Sequence, residues 1–155
     1  MADDGLSAYS KKELRQLAKA FSLMGDDAVA EAKNISFDLA NYAKNEIASA
    51  GAKRDKAAKG TKRVVDGASV SRSSKTGRLS YGFAGQRFSG GATTQMLWRG
   101  LEFGSGKYKQ FPTWSGRYGS GSRGWFIYPT LRDIQPELTQ RWTNGMSDVV
   151  KVWSN

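Results

Sequence analysis

An apolar stripe runs through the first third of the chain and limits what that third can become. Leu14, Phe21, Ala28, Ile35 and Tyr42 recur at intervals of seven, and Leu17, Met24, Ala32, Leu39 and Ile47 fill the neighbouring positions. That is helical periodicity. Ser10 with Glu13 forms a capping box that opens the helix. The interior is rich in alanine, the strongest helix former. Gly25-Asp26-Asp27 is the weak point, because Gly25 can end one helix and either aspartate can cap the next. The stripe stays in phase across Gly25, so one long helix over residues 10–50 is expected, with Gly25 as the place for a kink. At 1.5 Å per residue it would be about 60 Å long. A compact domain of this size does not need such a helix, which points to part of it packing on another chain.

Beyond residue 50 the signals are shorter. Residues 51–62 hold Gly, Ala and Lys with little that packs, and read as a mobile basic loop. Residues 63–71 (RVVDGASVS) and 78–88 (RLSYGFAGQRF) alternate as strands do, with a turn between them. Residues 94–103 (TQMLWRGLEF) fit either a short helix or a strand. Residues 104–124 read as a long Gly/Ser/aromatic loop, and loops of that length are usually functional or disordered. Residues 125–128 suggest a short strand, and Pro129 suits a helical turn. Pro136 fits the first position of a last helix, lined on one face by Leu138, Trp142, Met146, Val149, Val150 and Trp153. The expected fold class is α+β: a long N-terminal helix and a C-terminal helix on a small antiparallel sheet. With 155 residues a single domain over 1–155 is expected.

Composition removes whole classes of chemistry. The chain has no His and no Cys, hence no Ser-His-Asp triad, thiol nucleophile, disulfide or thiolate metal site. Gly106-Lys107 looks like the end of a phosphate loop, but Leu101 stands where Gly is required and Tyr108 where Ser or Thr is required. Asp55, Asp66 and Glu102 are too few and too scattered for a two-metal nuclease, and Ser74-Lys75 is adjacent in a loop. No enzymatic activity, metal or cofactor is expected. No run of apolar residues is long enough to span a membrane, and Met1–Tyr9 is acidic and polar rather than a signal peptide. A cytoplasm-like compartment follows as the expected place of synthesis.

The net charge of +10 is unevenly spread: residues 1–50 are net −2, and residues 51–99 are net +9. Lys53, Arg54, Lys56, Lys59, Lys62 and Arg63 form a basic patch that would attract a polyanion. Aromatics between glycines (Tyr108, Phe111, Trp114, Tyr118, Trp125) would suit base stacking, so a nucleic-acid-binding module is one reading. A solvated loop, or a contact to an acidic protein, is the other. Phe111, Trp114 and Tyr118 also suit an arm that anchors in a neighbouring subunit, since buried aromatics dominate interface energy. Folding back over their own core is the alternative for these three.

The order of these elements resembles the head–tail joining (neck, tail-completion or tail-terminator-like) protein family of long-tailed bacteriophages. In that family a T-G-x-L element, an E-F-G-[ST] element and an aromatic-x-x-Pro-x-Leu element recur in this order. Here they stand as Thr76-Gly77-Arg78-Leu79, Glu102-Phe103-Gly104-Ser105 and Phe126-Ile127-Tyr128-Pro129-Thr130-Leu131. The likeness covers roughly residues 10–153. The chain departs from the pattern in its long loop over 106–124, and in Tyr128-Pro129-Thr130 where Arg-Pro-Ala is usual. The resemblance implies a structural virion protein at the head–tail junction, in the host cytoplasm during assembly. Its partners would be copies of itself in a ring, hexameric in the family, and neighbouring connector or stopper and tail-tube proteins. DNA passing through the lumen would be a further contact, and no membrane is involved. Gly77, Leu79, Glu102, Phe103, Gly104, Pro129 and Leu131 carry the motifs. Glu102-Phe103-Gly104 would shape a turn, and Pro129 and Leu131 would seat the last helix.

Overall fold

The N-terminal helical stretch is cut at Gly25. In a computed structural model, which describes residues 11–71, 78–80, 87–105, 107–111 and 124–153, α1 spans Lys11–Met24 and α2 spans Asp26–Arg54. Gly25 lies at φ +107°, a left-handed conformation that glycine adopts without the steric cost of a Cβ. Asp26 and Asp27 then occupy the first turn of α2, where the macrodipole favours negative charge, and Lys53 and Arg54 close its last turn. α2 thus continues past the expected boundary. The chain goes on with α3 (Thr61–Asp66), β1 (Ser69–Ser71), β2 (Arg78–Ser80), α4 (Thr94–Phe103) and α5 (Ile127–Trp153).

The expected α+β class is overturned, for the chain is mostly helical. Strand structure among the described residues is the three-residue pair β1–β2 and an isolated bridge between Arg87 and Thr93. No sheet large enough to carry the helices exists among them. The reason lies in packing. Val64 and Val65 have the β-branched look of a strand, but α3 buries both. A Cβ built on Gly51 of α2 would come within 2.6 Å of the Val65 side chain, so the backbone of α2 packs directly against that valine of α3. β propensity expresses fit to a half-buried pleated surface, and burial in a helical crossing overrides it. Likewise residues 125–128, expected as a strand, lead into α5. That helix begins nine residues before Pro136, which lies inside it.

By its internal contacts the chain divides into two compact units. Unit 1 takes residues 1–42, 70–79 and 134–155, and unit 2 takes residues 43–69 and 80–133. In unit 1 the first half of α2 packs on the last part of α5. Ala28 and Ala32 meet Met146 and Val149, with Met24, Val29, Ile35 and Trp142 around them. Gly145 lets Ile35 close in, at 3.0 Å from where a Cβ would stand. The pairing order makes the two segments antiparallel. At its far end the Tyr42 hydroxyl donates to Glu137 Oε2 at 2.7 Å, and the Arg141 guanidinium lies 4.3 Å over the Tyr42 ring. In unit 2 the end of α2, α3, α4 and the start of α5 bury Ile47, Val64, Val65, Leu101 and Phe126. No described helix is long and apolar enough to cross a membrane.

Candidate functional site

The start of α5 needs partners for its first backbone N–H groups, which have no intrahelical acceptors. They find them in a side chain from another helix. Glu102, in the last turn of α4, is fully buried. Its Oε2 accepts from the N–H of Phe126 at 3.1 Å and of Ile127 at 2.7 Å, and its Oε1 accepts from the N–H of Tyr128 at 3.0 Å. The N–H of Trp125 adds to them. The next residue, Pro129, has no N–H to satisfy. A carboxylate 24 to 26 residues away in sequence therefore does what a local N-cap side chain does elsewhere. It also sets a negative charge at the positive end of the helix.

Two glycines flank this latch, and one of them makes room for it. Gly104 ends α4 at φ +77° and donates its N–H to the Gly100 carbonyl at 2.7 Å. Gly124 lies at φ +81°, and any Cβ there would collide with the Glu102 carboxylate. At the other end of α4, Thr93 caps the helix by accepting from the N–H of Met96 at 3.3 Å. Phe103 and Tyr128 place their rings 5.3 Å apart alongside the latch.

Burial pushes the Glu102 carboxyl above the ordinary glutamate range, and the backbone N–H groups pull the other way without overcoming it. Close by, Arg54 lays its guanidinium 3.7 Å over the Trp125 ring. Its Nε and Nη2 are buried with no hydrogen-bond partner among the described residues. Desolvation lowers the Arg54 pKa, and the Glu102 charge acts against that shift. Arginine stays charged under any such shift. The result is one buried anion committed to a helix end and one cation committed to an aromatic face. Neither is presented for proton transfer to a substrate.

The structure brings Glu102, Phe103, Gly104 and Pro129 into this one site. Leu131 lies two residues further along α5 and is half-buried. Leu79 is half-buried in β2, and Gly77 is outside the described residues. Of the residues read as an arm, Trp114 and Tyr118 also lie outside them. Phe111 packs on α4, where a Cβ on Gly100 would be 2.9 Å from its ring. Its carbonyl accepts from the N–H of Ser105 at 2.8 Å. The basic patch is split among elements rather than lying on one loop. Lys53 and Arg54 end α2, Lys56 and Lys59 are in the turns that follow, and Lys62 and Arg63 belong to α3. Lys62 pairs with Asp66 at 2.5 Å, and Arg63 lies 4.7 Å over the Phe88 ring. Arg54 turns inward; Lys53, Lys56 and Lys59 are exposed. The roles of Arg54 and Gly124 were missed in the sequence, since nothing local marks them. Comparison with known protein families, with curated proteins and with solved structures finds no match.

Proposed function

We propose that the protein is a structural virion subunit without enzymatic activity. It assembles into a homo-oligomeric ring at the head–tail junction of a long-tailed bacteriophage, where it completes or caps the tail and joins it to the capsid connector. The observation that supports this reading is the Glu102 latch. Two of the three sequence elements that carry the resemblance, 102–105 and 126–131, are far apart in the chain, yet Glu102 of the first holds the backbone of the second. Their charged member is used to fix a helix end, which is an architectural task. A ring of identical subunits needs rigid elements that repeat the same heterologous contact around an axis.

The test is the state of assembly. Purified full-length protein, examined by light scattering and negative-stain electron microscopy, is expected to form closed rings, alone or on isolated tails. In the phage that encodes it, loss of the gene is expected to leave filled heads and tails unjoined. A protein that stays monomeric in the presence of tails, or joined particles made without it, overturns the proposal.

A further inference from the structure

The two units share the charge very unequally. By sequence, unit 2 holds 14 basic and 5 acidic residues, and unit 1 holds 10 and 9. Almost the whole net charge belongs to unit 2. Three of its five acids are committed to contacts within the unit. Glu102 is the buried latch. Asp55 Oδ1 accepts from the N–H of Gly60 at 3.1 Å and of Lys62 at 3.0 Å, tying the end of α2 to the start of α3. Asp66 pairs with Lys62. Lys53, Lys56 and Lys59 remain exposed on the end of α2 and the turns after it. The surface continues through Phe88, whose ring edge lies 3.1 Å from where a Gly60 Cβ would stand. Arg63 lies over that ring, and exposed Arg87 is its neighbour in sequence.

We propose that this basic surface of unit 2 binds the phosphate backbone of duplex DNA without reading its sequence. The cations stand on separate elements as single exposed charges. That arrangement suits a polyanion with evenly spaced charge, one per ~1.7 Å of duplex axis. The described rings beside these cations favour duplex over single strand. Sequence-tolerant single-strand binding needs open aromatic faces on which bases stack. Among the described residues of unit 2, four rings have cations over them: Phe88 under Arg63 at 4.7 Å, Trp125 under Arg54 at 3.7 Å, Trp98 under Arg99 at 5.4 Å and Tyr108 under Lys107 at 5.3 Å. A base would have to displace one of these cations before it could stack. Phosphate contacts require no such displacement. The inference does not depend on the ring reading, since a monomer would bind in the same way.

Fluorescence anisotropy of the full-length protein with a short labelled duplex of mixed sequence, and with its separated strands, tests it. Duplex affinity is expected to fall at least about a hundredfold between about 50 and 200 mM salt, and to be indifferent to sequence. The Lys53→Ala/Lys56→Ala/Lys59→Ala variant is expected to keep its circular dichroism and lower the salt slope by about 3. Lys12→Ala/Lys19→Ala, on exposed positions of α1, is expected to bind as the parent does. Four results would overturn the proposal: no duplex binding at the lowest salt, tighter binding of the single strand, equal losses in the two variants, or complete displacement of DNA by polyglutamate at matched charge. The first two need only the unmodified protein.

Discussion

Glu102 concentrates the energetics of unit 2 in one side chain. Glu102→Ala takes the acceptor from three N–H groups, two of them in buried hydrogen bonds and one in a half-buried one, and each unpaired buried donor costs about 1–3 kcal/mol. Urea denaturation is expected to show a loss of at least about 3 kcal/mol. Glu102→Gln keeps one acceptor oxygen and turns an NH2 group towards a backbone donor, so an intermediate loss is expected. The same residue sets a pH dependence. Its carboxyl titrates above the ordinary value of 4.5 because burial disfavours the charge. The folded state therefore binds the proton more tightly than the unfolded state. Stability from this group is fully present below the unfolded pKa and is lost as pH rises through the folded one. Chemical denaturation at a series of pH values is expected to show that decline, and Glu102→Gln to flatten it. Gly124→Ala is expected to destabilise through both its positive φ and its collision with the carboxylate. The two contributions separate in a double-mutant cycle, where Gly124→Ala costs less on the Glu102→Ala background because the collision is gone. Additive effects would dissolve the link between these two residues.

Helices here are bounded by conformation more than by pattern. The apolar stripe passes Gly25 without a change of phase, yet the helix breaks there, because a glycine with a left-handed option ends a helix readily. The side chains of Leu14, Leu17 and Phe21 lie outside the described set; Ala28, Ala32 and Ile47 of the same pattern are buried. At the other end of the chain, α5 begins at Ile127 rather than at Pro136, and Pro136 cannot donate to the helical ladder. What holds the first turns is the capping by Glu102, a tertiary contact that no local sequence rule contains. Pro136→Ala supplies the missing donor and a better helix former. Thermal and urea denaturation are expected to show a gain on the order of 1–3 kcal/mol. A loss would mean that the proline ring fills space that alanine cannot.

At the scale of the whole molecule, assembly and charge are separate properties and call for separate variants. Trp114→Ala/Tyr118→Ala is expected to leave the melting temperature unchanged and to abolish ring formation by light scattering, if these aromatics anchor in the next subunit. Phe111→Ala is expected to lower the melting temperature, because its ring packs on Gly100 within its own unit. The sequence by itself determined the helical first third, the exclusion of His and Cys chemistry and the basic excess after residue 50. These depend on composition and on periodicity over many residues, which local physics fixes. Short apolar runs carry no such information. Residues 63–71 and 125–128 look alike as strand candidates, and three-dimensional neighbours, Gly51 for one and Glu102 for the other, accompany a helical outcome at Arg63–Val65 and at Ile127–Tyr128. The same holds for the charged residues. Arg54 and Lys53 are adjacent in the chain and identical in charge, but tertiary packing turned one onto Trp125 and left the other in solvent.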